Sequence, residues 1–151
     1  MSNPSKEKGN RAELAIRDML REHTDLPWQR TPLSGALHIA HQMKSDLYIP
    51  NEHNLYSVEC KHYADDHLNS TIFTSKNPQL FIWWDQVSKQ SAETHKKPLL
   101  IFKHDRSKIF AAYEDIPETD LKHLYINIGK YTFFISLLED WLKHEKPKFI
   151  R

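Results

Sequence analysis

The chain has 151 residues, a formal net charge of +1 at pH 7, 39% hydrophobic residues and 11% aromatic residues. This length and composition predict one domain spanning 1–151 with a core of its own, and they argue against a disordered or fibrous chain. The small net charge does not by itself indicate a nucleic-acid partner.

No apolar run approaches the roughly 20 residues that a membrane helix needs. The N-terminal stretch MSNPSKEKGN is polar where a signal peptide would have an apolar core. Cys60 is the only cysteine, so no internal disulfide is possible, which fits a reducing compartment. We therefore expect a cytoplasmic protein without a membrane partner.

The first half of the chain begins with apolar residues at helical spacing and then changes to short extended runs broken by proline. The two runs on either side of the polar turn at 50–54 are typical of an antiparallel pair of strands. The predicted elements are a helix over 5–22, an extended segment over 28–31, a loop over 33–44 and strands over 47–49 and 55–58.

The second half alternates helical and extended patterns. A helix is predicted from Asn77 or Pro78 to about His95, because proline suits a first helical turn. The remaining predicted elements are strands over 98–103 and 109–113, a short helix over 118–123, a strand over 131–135 and a last helix through 138–142. Hairpins combined with a crossover helix predict an α/β fold with a mixed central sheet and helices packed on it.

Charged residues bracket the predicted hairpin: Asp46 opens its first strand and Glu59-Cys60-Lys61 closes its second. In an antiparallel pair, Asp46 and Glu59 lie at the same end and come within a few ångströms of each other. Because alternate residues of a strand share a face, Glu59 and Lys61 project together while Cys60 points the other way.

Two carboxylates this close repel each other unless a positive charge lies between them. A hard cation such as Mg²⁺ takes oxygen ligands, so we predict that Asp46 and Glu59 hold Mg²⁺. Lys61 would then orient or help deprotonate a water, or neutralise charge on a phosphoryl group. The alternative is that Glu59 and Lys61 form only an exposed ion pair, which would contribute little.

The order Asp46, strand, turn, strand, Glu59-Cys60-Lys61 resembles the PD-(D/E)XK nuclease signature, with Ser45 in place of Pro. Within that superfamily the N-terminal third resembles the archaeal-type Holliday junction resolvases, which also occur in phages. Three further segments carry this resemblance: Lys8-Gly9-Asn10-Arg11-Ala12-Glu13, Arg30-Thr31-Pro32-Leu33-Ser34-Gly35, and Gln86, with Gln90 as its alternative, in WWDQVSKQ.

The resemblance implies a restriction-endonuclease-like fold and a metal-dependent endodeoxyribonuclease that resolves four-way DNA junctions by paired phosphodiester hydrolysis. It implies that Glu13 is a third acid beside Asp46 and Glu59, directly or through water, and that the carbonyl of Cys60 is a further oxygen ligand. Mg²⁺ is the expected ion, with Mn²⁺ as the alternative.

The resemblance also implies catalytic roles for Ser34 and Gln86. Phosphate contacts are expected from the resemblance at Lys8, Arg11, Arg30, Ser34 and Gly35, and from a basic stretch that begins at Lys89. Because a four-way junction has two-fold symmetry and is cut at paired positions, a homodimer is the expected assembly.

Several alternatives remain open. The same site would serve a repair, flap-cutting or restriction-type nuclease, and the fold would also serve a non-catalytic nucleic-acid-binding module. His38 and His41 have the spacing of two zinc ligands, although Zn²⁺ would need two more. The basic stretches 89–108 and 143–151 are solvated faces or phosphate contacts. The pairs Trp83-Trp84 and Phe133-Phe134 are base-stacking candidates, or each pair supplies one core and one peripheral residue.

Overall fold

The computed structural model describes residues 4–32 and 45–151, with side chains from residue 9 onward. The predicted loop over 33–44, with Ser34, Gly35, His38 and His41, and the Lys8 side chain lie outside this description. In chain order the elements are α1 (Pro4–Thr24), β1 (Gln29–Arg30), β2 (Leu47–Tyr48), β3 (Tyr56–Tyr63), α2 (Thr71–Thr74), α3 (Gln79–Glu93), β4 (Lys97–His104), β5 (Phe110–Tyr113), β6 (Leu124–Ile128), β7 (Tyr131–Leu137) and α4 (Leu138–Glu145).

The strands form one seven-stranded sheet in the order β1-β2-β3-β4-β5-β7-β6. Strands β3 and β4 pair in parallel, and each of the other neighbours pairs antiparallel. A parallel pair needs a crossover connection, which here contains α3. The structure therefore confirms the predicted α/β class with a mixed central sheet flanked by helices.

Each face of the sheet carries its own core. On β4, Leu99 and Ile101 belong to the core shared with α1 and α4, whereas Leu100 and Phe102 belong to the core beneath α3. This alternation follows from the two-residue period of a strand. Both faces are thus covered, as the long apolar run of β4 requires.

The first helix packs through Ala12, Ile16 and Leu20, which are spaced four residues apart and lie on one buried stripe. It ends near Thr24, whose hydroxyl accepts a hydrogen bond from the indole N–H of Trp28 at 3.0 Å. Trp28 is itself buried, so the chain is fixed as it enters β1. Neither α1 nor any other helix in the described ranges is long and apolar enough to cross a membrane.

The helix predicted over 118–123 is wrong, because this segment is irregular. The Glu145 carboxylate, at the end of α4, accepts hydrogen bonds from the backbone N–H groups of Glu118 at 2.7 Å and Thr119 at 3.0 Å. Leu121 is buried against the α1 and α4 core. Tertiary contacts thus take up the backbone donors that a first helical turn would leave without partners.

Two elements have no counterpart in the sequence prediction: the short helix α2 and the edge strand β6. Strand β6 pairs with β7 through a tight turn at Gly129, which has a φ of +57°. Glycine adopts this left-handed conformation without steric cost. The strand is short and its residues are mostly exposed, so its apolar pattern was weak.

Candidate active site

The hairpin formed by β2 and β3 places Asp46 across from Glu59. Leu47 pairs with Val58, and the backbone N–H of Asp46 donates to the Val58 carbonyl at 2.7 Å. The side chain of Asp46 is also fixed, because its Oδ2 accepts a hydrogen bond from the backbone N–H of Cys60 at 2.8 Å. Two bonds to β3 therefore hold Asp46 beside the Glu59-Cys60-Lys61 triplet.

Glu59 and Lys61 project from β3 toward the face covered by α3. Their partners in the parallel register are Leu100 and Phe102, which both lie in the core beneath α3. The Lys61 Nζ lies 3.6 Å from Glu59 Oε1, with side-chain exposures of 21% for Lys61 and 14% for Glu59. The ion pair considered as the alternative therefore exists, but it is largely shielded from solvent and is not a surface pair.

Both carboxylates of the hairpin have raised pKa values. Burial raises the pKa of Asp46 to about 6, and the negative charge of Glu13 adds to this, against the opposing hydrogen bond from Cys60. Burial raises the pKa of Glu59 to about 7, with a further increase from the charge of Asp46, partly offset by Lys61. Desolvation and mutual repulsion thus make two negative charges unfavourable here, which is the condition that a bound cation relieves.

The Cys60 backbone adds a carbonyl to this set. In an extended strand the N–H and C=O of one residue point to the same side. Since the Cys60 N–H points to Asp46, its carbonyl faces the same side, just beyond the end of β2. Burial also raises the pKa of the Cys60 thiol well above its ordinary value, and the side chain packs against the core shared with α1 and α4, on the face opposite Glu59.

Glu13 and Arg30 form a second charged group on the other face of the sheet. Arg30 Nε donates to Glu13 Oε2 at 2.9 Å, and the guanidinium also donates to Asn10 Oδ1 at 2.8 Å. Arg30 pairs in register with Leu47, which belongs to the core under α1. Glu13 therefore approaches the hairpin from the face opposite Glu59.

This arrangement bears on the predicted third acid. Within residues 4–32 and 45–151 no group of three or more His, Cys, Asp and Glu side chains is arranged to hold a metal ion. Glu13 acts on the pKa of both Asp46 and Glu59 through its charge, but its carboxylate is bonded to Arg30. Direct ligation by Glu13 and phosphate binding by Arg30 remain predictions. Asn10 was not selected from the sequence, although it lies one helical turn before Glu13.

The other candidate residues within the described ranges make no hydrogen bond or ion pair with Asp46, Glu59 or Lys61, and the rest lie outside those ranges. Gln86, Lys89 and Arg11 are exposed on their helices. Gln90, the alternative to Gln86, has a buried amide oxygen with no hydrogen-bond partner among the described residues. The aromatic pairs Trp83-Trp84 and Phe133-Phe134 are buried in full, so the expectation of one peripheral ring in each pair is wrong.

The donors at the hairpin fit a hard divalent cation. They are two carboxylates and one backbone carbonyl, all oxygen atoms, and burial together with the negative charge of neighbouring carboxylates raises the pKa of both acids. Mg²⁺ binds through one or two protein carboxylates and keeps several waters. The arrangement can therefore hold such an ion and place an ammonium group next to it.

Comparison with known families supports the same chemistry. Residues 4–151 match the family described as "Phage putative PDDEXK endonuclease". The chain belongs to this family. As a phage PDDEXK endonuclease family member it falls in the PD-(D/E)XK superfamily, whose nucleases generally use divalent metal ions, and its mixed sheet is consistent with a restriction-endonuclease-like fold.

Protein D14 of Escherichia phage T5 is similar in sequence to this chain. It is 38% identical to this phage PDDEXK endonuclease family member over 152 residues, and the match covers 95% of each chain. No solved structure matches the chain. The family supports nuclease chemistry.

Proposed function

We propose that this chain is a Mg²⁺-dependent endodeoxyribonuclease that resolves four-way DNA junctions as a homodimer. The observation that carries the catalytic part is the arrangement of Asp46, Glu59 and Lys61 at one shielded end of the β2–β3 hairpin, within a family of PDDEXK endonucleases. Junction selectivity rests on the resemblance of the Lys8–Glu13 and Arg30–Gly35 segments to archaeal-type resolvases.

In this mechanism Asp46 and Glu59 would hold the cation, with the Cys60 carbonyl as a third oxygen donor. Mg²⁺, when bound, supplies Lewis-acid stabilisation of the charge that gathers on the phosphate oxygens and on the departing oxygen. Lys61, held 3.6 Å from Glu59, hydrogen-bonds the attacking water and keeps it in line with the departing 3′ oxygen. The product would then carry a 5′ phosphate.

Recognition of the junction would depend on its shape and on phosphate contacts more than on base edges. The positive groups available for this are the exposed side chains of Arg11 and Lys89, together with the basic stretches. Some of those cations are already paired: Lys97 contacts Asp115 at 2.6 Å and Lys143 contacts Glu139 at 2.8 Å. A homodimer supplies the second site needed for paired incisions.

The test is cleavage of a labelled synthetic four-way junction beside linear duplex, single strand and flap of the same sequences, with Mg²⁺ or with EDTA. Asp46→Asn and Glu59→Gln remove the carboxylates, and Glu52→Gln, in the exposed turn of the same hairpin, is the matched control. Symmetric paired nicks that require metal and both acids, but not Glu52, would support the proposal.

Other outcomes would contradict particular parts of it. Metal-dependent cutting of linear or flap DNA in preference to the junction would retain the active site and remove the resolvase assignment. Binding without cleavage of any substrate would indicate a non-catalytic module. If sedimentation shows a monomer both free and bound to the junction, the proposed homodimer is contradicted.

A further inference from the structure

Tyr63, the last residue of β3, carries an aromatic ring that is fixed yet open to solvent. The residue is 47% exposed. Its ring stacks on Trp83 of α3 with centroids 5.1 Å apart and an interplanar angle of 27°. Trp83 is only 3% exposed, and the His67 ring lies nearly perpendicular to both rings. One face of Tyr63 is therefore supported by the core while much of the side chain remains available.

The position of this ring relative to the hairpin follows from the strand. Glu59, Lys61 and Tyr63 alternate along β3 and share the face covered by α3, as the stacking on Trp83 shows. At a rise of about 3.3 Å per residue, Tyr63 lies about 7 Å beyond Lys61. The ring is therefore the next side chain on this face of β3 after Lys61.

We propose that Tyr63 is a stacking site for an unpaired nucleobase next to the phosphodiester that lies at Asp46, Glu59 and Lys61. The inference rests on the proposed nuclease function and names a subsite of it. An aromatic ring accepts the face of any base, so the site would be tolerant of sequence. It would require a base that has left the duplex stack, and branch points provide such bases at lower cost than continuous duplex does.

Among the exposed aromatic residues of the described ranges, which are Tyr63, Phe73 and Tyr125, Tyr63 is the one that lies on a strand of the hairpin. The base-stacking candidates of the sequence, Trp83-Trp84 and Phe133-Phe134, are buried. Tyr125 offers a matched control, since it is 57% exposed and stacks on buried Phe134 with centroids 5.1 Å apart. It lies on β6, four strands away from β3 and hence about 19 Å across the sheet.

The test is a double-mutant cycle between protein and DNA, measured as binding by fluorescence anisotropy in EDTA. Tyr63→Leu, Tyr63→Phe and Tyr125→Leu are placed in a Glu59→Gln background, so no strand is cut. The ligand is a synthetic four-way junction, either intact or with one abasic site at successive nucleotides around the branch point. Cleavage by the same Tyr variants without Glu59→Gln is followed in parallel.

We expect Tyr63→Leu to weaken binding of the intact junction about tenfold. It should have almost no further effect when the abasic site occupies the nucleotide that Tyr63 contacts. Tyr63→Phe, which keeps the ring, should bind as the parent does, and Tyr125→Leu should be neutral. If each abasic site reduced junction affinity by the same factor in the Tyr63→Leu protein as in the parent, the inference would be overturned.

The outcomes also separate this inference from the proposed function. A chain that cuts the junction normally with Tyr63→Leu leaves the nuclease intact and removes the stacking site. A parent chain that neither binds nor cuts the junction removes both. If Tyr63→Leu does not fold, the set of abasic junctions is tested with the parent and with Tyr63→Phe. A stacking site predicts one nucleotide at which loss of the base weakens binding by both proteins.

Discussion

The mutual repulsion of Asp46 and Glu59 predicts that a variant without activity will be more stable than the parent. Asp46→Asn removes the negative charge that sits against Glu59 and keeps an oxygen that can accept the hydrogen bond from the Cys60 N–H. In the absence of metal, the substitution should therefore increase the free energy of unfolding at neutral pH. Active sites commonly retain such unfavourable groups for function.

The sign and size of this change in the free energy of unfolding follow from the pKa values of the two acids. An acid whose pKa is raised by folding binds its proton more tightly in the native state, so stability falls as pH rises from the unfolded pKa to the folded one. For Asp46 this window runs from 3.8 to about 6, and the difference corresponds to ~3 kcal/mol. For Glu59 it runs from 4.5 to about 7, corresponding to ~3.4 kcal/mol. The losses of stability from ionising Asp46 and Glu59 both include the repulsion between these two carboxylates, so they do not add in full.

The assay is urea unfolding followed by tryptophan fluorescence, in EDTA, across the range from about pH 4 to about pH 8. The parent should lose stability as the pH rises, whereas Asp46→Asn should lose less and exceed the parent by about 3 kcal/mol near pH 8. Near pH 4 the two proteins should be almost equal. Asp18→Asn, at an exposed carboxylate on α1, is the control and should change stability by less than about 0.5 kcal/mol.

Two results would refute this reasoning. The first is a parent whose stability is constant over the whole range, which would mean that neither carboxylate is destabilised by its surroundings. The second is an Asp46→Asn variant that is less stable than the parent near pH 8. In that case the charged hydrogen bond to Cys60 would outweigh the burial and repulsion of the carboxylate.

Three further predictions concern the metal and the charged neighbours. Mg²⁺ should raise the thermal midpoint of the parent near neutral pH without DNA present, and this rise should vanish in Glu59→Gln; an equal rise in both proteins would place the ion elsewhere. Lys61→Met should reduce cleavage by about 10² to 10⁴ while junction affinity in EDTA stays nearly unchanged, and retained cleavage would remove Lys61 from the mechanism. Arg30→Met should lower the free energy of unfolding by about 1–3 kcal/mol, because the half-buried Glu13 loses its partner, and Glu13→Gln together with Arg30→Met should recover part of that loss in a double-mutant cycle.

The hairpin could be predicted from sequence because its determinants are local. The alternation of β3 and the turn between the two runs fix which residues face each other, so spacing alone predicts that Asp46, Glu59 and Lys61 lie together. The pairing of Glu13 with Arg30 could not be derived in this way. It depends on how α1 packs over β1, across 17 positions of sequence, and no periodic pattern encodes that distance.

The errors of the sequence prediction in the C-terminal part also arise from contacts between residues that are distant in sequence. The segment at 118–123 has helical composition, but a carboxylate 27 residues later takes its backbone donors. In the sheet formed by the described residues, β6 is an edge strand with β7 as its neighbour, and its exposed residues weaken the apolar signal. Trp83 and Trp84 are both buried because α3 packs over several strands, with Trp83 near Phe102 of β4 and Trp84 against Phe133 of β7.

The two bonds that tie Asp46 to β3 have a consequence for how this hairpin can vary. Both partners, Val58 and Cys60, flank Glu59 in the same strand, so one continuous stretch of chain sets the positions of both acids. The exposed turn residues Asn51 and Glu52 take no part in this anchoring. Insertions there should preserve the spacing of the acids, which makes the turn a place where relatives can diverge in length and where a reporter group can be introduced beside a working site.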